Sequence, residues 1–451
     1  MQGAPGLTEN ALFQGVAEKR DPPSRVAPGA KPRLQIADRS QMELRVVDLD
    51  RLVADDDEVR SVWAFVEGRD LGALYATIKA VEGNVGRPPI DPKILVALWL
   101  YATLQGVGSA RALDRLCESH VAYQWLCGGV SVNYHTLADF RVAHGAILER
   151  MLTESVATLM ASGVVTLRRV AQDGMRVRAS AGAASFRRKA TLDECLRAAE
   201  EQVKSLRKQL DEDPGEEARR RKAAQLRAAE DRQRRVEEAL RQLPAVEEIK
   251  ARNRRKGDAP KKSEARCSTT DPDARVMKMA DGGYRPAVNA QIATDVESRL
   301  VVAVDVNNRG NDHGHMSPMV EKLTASYGKP PEAILVDGGF VTVEEIEKTS
   351  ASSVVYAPPM KPRDPGRDPH APLPTDSAAV AEWRVRMGTD AAKEIYKERA
   401  STAECVNANF RNHGLQQLSV RGLGKAKAIL LWFALAHNLL QMIALGVAGT
   451  A

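Results

Sequence analysis

Aromatic side chains are scarce: Phe, Tyr and Trp supply 4% of the 451 residues. A protein that grips single strands by stacking bases on rings needs more, so that mode of nucleic-acid binding is disfavoured. Cysteine is scarce too. Cys117, Cys127, Cys195, Cys267 and Cys405 are scattered without a C-x-x-C pair, which excludes zinc fingers and a disulfide framework. The odd number suits a reducing cytosol. No basic-then-apolar signal opens the chain, which begins MQGAPGLTEN, so a cytoplasmic protein is expected. No long apolar run is unbroken either. The longest, Ala428 to Val447, is interrupted by His437, Asn438 and Gln441, and we read it as a buried C-terminal helix rather than a membrane span.

What is present is ordinary for a globular protein, with 43% hydrophobic and 27% charged residues. At roughly 150 residues per domain, the length suggests two or three domains. The net charge of +6 leans only weakly toward nucleic acid. Its distribution says more. Residues 187–266 hold 24 Lys/Arg against 17 Asp/Glu, a surplus of seven, so the rest of the chain is close to neutral.

Residues 1–40 carry five Pro and four Gly without a period and are expected to be a disordered tail. A helical domain is expected over 41–162. Asp91-Pro92 is a helix start, with a capping side chain and then proline at the first position, and Gly106 is its stop. A second helix is expected from Ser109 to just before Gly128-Gly129, and a third from Thr136 through Ile147 to Gly163. Such a set could hold a helix-turn-helix reader of DNA or simply a packing platform. No base-reading residue can be named from it.

From about residue 163 the period changes. Strands are expected around Asp173, at 284–294, at 300–306, at Ala333–Val336 and at Ser353–Tyr356, with helices between the later ones. That order is an α/β layer pattern. Residues 187–266 interrupt it. Leu192, Leu196, Ala199, Val203, Leu206 and Leu210 form a heptad seam, and Asp213-Pro214-Gly215 breaks it before Ala229, Val236, Leu240 and Leu243 resume. This is an inserted helical hairpin. Arg219, Arg220, Arg221 and Lys222 form a single-sign block suited to phosphate contact, although a solvated helix face would read the same way. Residues 357–376 are a Pro-rich connector.

Three carboxylates could carry chemistry: Asp173 in VAQDGMRVRAS, Asp337 in AILVDGGFVT, and Glu404 in YKERASTAECVNANFRNHGL. An acidic residue at the end of a buried strand, followed by glycines, is a common catalytic position and a common turn. With the signature Tyr396, Arg399, Glu404 and Arg411, these stretches make the chain resemble the bacterial insertion-sequence transposases of the DDE type that bear a Tyr-Arg-Glu-Lys/Arg signature. The resemblance implies an RNase H-like α/β catalytic domain over 163–451, preceded by the all-α domain. It implies Asp173, Asp337 and Glu404 as catalytic and metal-binding residues, and Arg411, Arg399 and Tyr396 as DNA-binding ones. It implies two Mg²⁺ ions, replaceable by Mn²⁺. It implies hydrolysis at transposon ends and then attack of the freed 3′-OH on target DNA, by a homodimer acting on double-stranded DNA without a membrane. Three oxygen ligands suit a hard ion, and a metal pair can serve both the attacking and the leaving oxygen. An RNase H-like nuclease without strand transfer, and a non-catalytic DNA-binding relic, are the competing readings.

Some details stay open. Four residues separate Arg399 from Glu404 where the commonest signature has three, so on one helix Arg399 points away from Glu404. Ser401-Thr402-Ala403-Glu404 also fits a capping box, which would start a helix at Ser401. Asn311-Asp312-His313-Gly314-His315 offers a weak zinc reading, or Asp312 as a substitute triad member. Gly422-Leu423-Gly424-Lys425 lacks phosphate-loop spacing and reads as a helix start.

Overall fold

The computed structural model describes residues 48–80, 88–211, 216–252, 264–362 and 366–447, with 40, 42, 46 and 364 singly. All of the expected tail over 1–40 except Ser40, and the break at Asp213-Pro214-Gly215, therefore fall outside the described residues.

Helices lead. They are α1 (Glu58–Glu67), α2 (Gly72–Tyr75), α3 (Pro92–Leu104), α4 (Ala110–Ser119), α5 (Val121–Cys127), α6 (Tyr134–Ala143) and α7 (Gly145–Ala161). The Asp91 carboxylate accepts from Lys93 N at the start of α3, as the Asp-Pro pair predicts. Helix α3 is apolar on all sides and buried nearly throughout, which makes it a central helix and not an amphipathic one. Two expected helices are each broken. The second splits at His120, whose extended backbone lets its ring cap Ala122 N. The third splits at His144, between α6 and α7. Apolar spacing continues across both breaks, so periodicity alone could not reveal them.

The sheet follows, with β1 (Arg169–Arg178), β2 (Phe186–Arg187), the hairpin helices α8 (Lys189–Asp211) and α9 (Glu216–Arg252), and β3 (Cys267–Ser268). Next come β4 (Arg275–Lys278), β5 (Tyr284–Asp295), β6 (Val301–Asn307), α10 (Met316–Tyr327), β7 (Ala333–Leu335), α11 (Val343–Ser350) and β8 (Val354–Tyr356). The chain closes with α12 (Ala378–Gly388), α13 (Asp390–Asn412) and α14 (Leu423–Ala444). Strand order across the sheet is β6-β5-β1-β7-β8. β5 runs antiparallel to β1 and to β6, whereas β7 and β8 run parallel to β1. β4, which the sequence pattern did not suggest, extends the outer edge of β5.

One apolar core joins the leading helices, β1, β5, β6 and α14. Trp99 and Trp432 are wholly buried in it, and their indole N–H groups donate to the carbonyls of Leu137 and Arg141. Burial of each large side chain is worth about 1.5–3 kcal/mol, so α14 is held as a core element. Helix α14 is the one described helix long and apolar enough to cross a membrane, and most of it is buried inside the fold. Its polar residues have local work. Asn438 accepts from Val301 N and donates to Val301 O, and His437 meets the carbonyl of Arg299, so the helix is pinned to the edge of the sheet.

The hairpin has its own small core of Leu192, Val236, Ala239 and Leu243, with Leu196 packed beside them, as the heptad seam predicts. The expected helix start at Ser401 is corrected. Helix α13 begins at Asp390 behind the Thr389 cap and runs unbroken through Ser401, whose hydroxyl donates to the Glu398 carbonyl one turn back. A capping-box pattern inside a helix has no free amides to cap.

Candidate active site

Parallel pairing brings two carboxylates together. The parallel pairing ends with Ala171 on β1 beside Leu335 on β7, and two residues farther on in each segment Asp173 and Asp337 both come within reach of Arg399. Asp173 lies within a long strand and is 18% exposed, whereas Asp337 lies just past its strand and is 42% exposed. The Asp337 carboxylate accepts from Gly339 N at 2.8 Å, which fixes the turn that follows.

Helix α13 lies over this pair. Arg399 donates to Asp173 Oδ1 at 3.1 Å and stands 3.7 Å from Asp337 Oδ2, so one guanidinium answers both negative charges. Asn407 donates to Asp173 Oδ2 at 2.7 Å. Burial pushes the Asp173 carboxyl above its ordinary range; Arg399 opposes this, and the neighbouring Asp337 adds to it. Tyr396 is half-buried one turn before Arg399. Its phenol is raised by burial, with Arg399 opposing.

The remaining candidates are placed differently. Arg399 and Asn407 lie about 80° apart around the helix, and Glu404 lies about 60° beyond Asn407. Glu404 is accordingly exposed, at the rim of the face that covers the acidic pair, with Arg411 exposed two turns farther on. The expectation that Arg399 points away from Glu404 holds, but it is Arg399 that faces the aspartates. On the same helix Glu398 pairs with Arg169 on β1 and Glu394 with Lys397. Arg219, Arg220, Arg221 and Lys222 sit at the start of α9 in the hairpin, where Lys222 donates to the Gln209 carbonyl.

Asn407 was missed in the sequence. Its signal is faint: one turn beyond Glu404 on a helix, which reads as a helix only once the Ser401 start is abandoned. Among the described residues no three acidic, His or Cys side chains converge as a metal-binding group. The donor set at the pair is nevertheless all oxygen. Beside the two aspartates, Asn407 turns its amide nitrogen to Asp173 and has its Oδ1 buried without a hydrogen-bond partner. Carboxylate and amide oxygens without Cys or His suit a hard divalent ion, and Asp173 with Asp337 would hold it. The zinc reading at 311–315 is not supported, because Arg176, Asn289 and Gln291 already occupy the Asp312 carboxylate and His313 is exposed.

Two family models match separate parts of the chain. One is described as a Transposase domain (DUF772) and matches residues 39–143. The other, a Transposase DDE domain, matches residues 372–443 and takes in Tyr396, Arg399, Glu404, Asn407 and Arg411. No curated protein and no solved structure matches. Together the two matches support an insertion-sequence DDE transposase, a group that acts on DNA and generally uses divalent metal ions. Asp173 and Asp337 lie outside both matched stretches, so their pairing rests on geometry alone.

Proposed function

We propose that this transposase cleaves the ends of its element by Mg²⁺-dependent hydrolysis and then joins the freed 3′-OH to target DNA. The observation that carries this reading is the meeting of Asp173 and Asp337 beneath Arg399, just past the last parallel β1–β7 pair. The sheet order, three antiparallel strands followed by two parallel ones, supports an RNase H-like catalytic domain. Asp173 and Asp337 would hold the cation, and Glu404, exposed on α13, would have to turn inward to join them. A divalent ion held there would supply activation of the attacking oxygen and offset charge on the leaving one. Arg399 pairs with the scissile phosphate once its aspartates are otherwise neutralised, and Arg411 binds phosphate alongside on the same helix face as Glu404. The leading helices, within 41–162, read the element's ends, and the hairpin at 187–266 grips the backbone. The active complex is a homodimer on double-stranded DNA.

The test is purified full chain on labelled DNA carrying the element's own ends, with and without Mg²⁺. Metal-dependent cleavage followed by joined products is expected. Released ends without joined products would assign a nuclease instead.

A further inference from the structure

Behind the acidic pair lies a second polar cluster. Successive residues of a strand face opposite sides of a sheet, so Gly174 turns away from the face that carries Asp173. A loop between β6 and α10 crosses that opposite face and lays the carboxylate of Asp312 directly on Gly174. A β-carbon at Gly174 would lie 2.0 Å from Asp312 Oδ1, closer than any real contact allows. The same carboxylate reaches the turn after β7. A β-carbon at Gly339 would lie 2.9 Å from Asp337 Oδ1 and 3.8 Å from Asp312 Oδ2.

Asp312 is buried, and its two oxygens are bound by donors from two strands. Asn289 and Gln291 on β5 donate to Oδ1 at 2.7 and 2.8 Å, and Arg176 on β1 donates to Oδ2 at 2.9 Å. Arg176 also donates to the Gly310 carbonyl, and Gln172 to the His315 carbonyl, so both ends of the loop are tied to the sheet. A buried carboxylate bound this fully costs much to move or neutralise. Gly174, next to Asp173, is where the backbone must come close to Asp312; at Gly339, next but one to Asp337, Asp312 lies at ordinary van der Waals range.

We propose that Asp312 is a positioning residue of the transposase site. It holds the β1 segment that carries Asp173 and the turn that carries Asp337 in the relation that lets the two bind one cation. The proposal rests on the reading that those aspartates form the metal site. Asp312 touches no substrate and acts through the backbone of Gly174 and Gly339.

The experiment uses the full chain and follows three quantities: Mn²⁺ binding by electron paramagnetic resonance, cleavage of end DNA, and thermal unfolding. Asp312→Asn keeps the shape of the side chain but sets an amide against Arg176. Mn²⁺ binding should weaken by about 10–100-fold, as for residues that orient metal ligands, and excess Mn²⁺ should recover part of the cleavage. Binding to end DNA should not change. A lowered melting temperature with unshifted half-saturating Mn²⁺ would mean a structural role only and would overturn the proposal. If Asp312→Asn does not fold, Asn289→Leu removes one donor and leaves the charge. It should shift Mn²⁺ half-saturation in the same direction by less, and no shift again overturns the proposal. Asp173→Ala separates the premise: wild-type Mn²⁺ binding and cleavage in that variant would remove the metal-site reading itself.

Discussion

The hairpin and the open end of the sheet both concentrate charge, and they handle it in opposite ways. Along α8 and α9 the charges are many, exposed and paired locally, as in Arg207–Glu230 across the hairpin or Arg235–Asp231 and Arg241–Glu238 within α9. Each such pair is worth at most about 1 kcal/mol, and each is screened by salt. At the sheet the charges are few, largely buried and convergent: two aspartates under one arginine, with Asp312–Arg176 behind them. The first arrangement makes a field that many residues share. The second makes a site in which every member is specific. Substitutions should therefore be graded and additive in the hairpin and all-or-none at the sheet.

The sharpest break in that comparison comes from Asp173→Ala or Asp337→Ala. Either should lower cleavage and strand transfer by more than the roughly 100-fold typical of residues behind a metal, with gel-shift binding to end DNA intact. Unchanged cleavage would take that residue out of the site. Glu404→Gln comes next. Because Glu404 is exposed in mid-helix and caps nothing, stability should stay within about 0.5 kcal/mol while metal-dependent cleavage is lost. Near-normal strand transfer would mean that Glu404 is no ligand.

How far could these roles be read from the chain alone? Helix starts with a capping chemistry were legible: Asp91 before Pro92 and Ser109 each accept an early helical amide. Asp337 was legible as a strand-end acid, whereas Asp173 proves to lie within β1. Their meeting was not legible, because parallel pairing joins segments far apart in sequence. Arg399 was left in doubt because four residues, not three, separate it from Glu404, and Glu404 because Ser401 imitates a cap inside a helix already capped at Thr389. Asp312 looked like a loop residue with a weak claim on metal. Only folding shows that Gly174 is a glycine because a carboxylate lies on it.

On the hairpin side, replacing Arg219, Arg220, Arg221 and Lys222 with Gln should weaken binding to every sequence and flatten its salt dependence by up to about 4 units, near one per lost phosphate contact. An unchanged slope would make the hairpin a protein-contact arm.

The smallest effect is on stability against pH. Burial raises the Asp173 carboxyl above its usual value, so the stabilising contribution of this group is full below the unfolded-state value of 3.8 and is lost as pH rises through the folded-state value. Asp173→Asn should remove that loss and leave the protein as stable as, or slightly more stable than, the wild type at neutral pH. Melting curves across the acid range check this. A variant clearly less stable at pH 7 would show that the Arg399 pairing outweighs the burial cost.

The two strands at the foot of the hairpin carry a consequence of another kind. β2 and β3 pair Phe186 with Ser268 and Arg187 with Cys267, and just outside them Thr269 N donates to the Ser185 carbonyl while the Ser185 and Ser268 hydroxyls meet at 2.7 Å. The insertion thus leaves and rejoins the sheet domain through a closed neck, with its own apolar seam above it. Segments with adjacent ends and a private core are the ones that genomes can lengthen, shorten or exchange without refolding the host. The neck marks a graft point, where an ancestor with a plain turn and a descendant with a different arm could share one catalytic sheet.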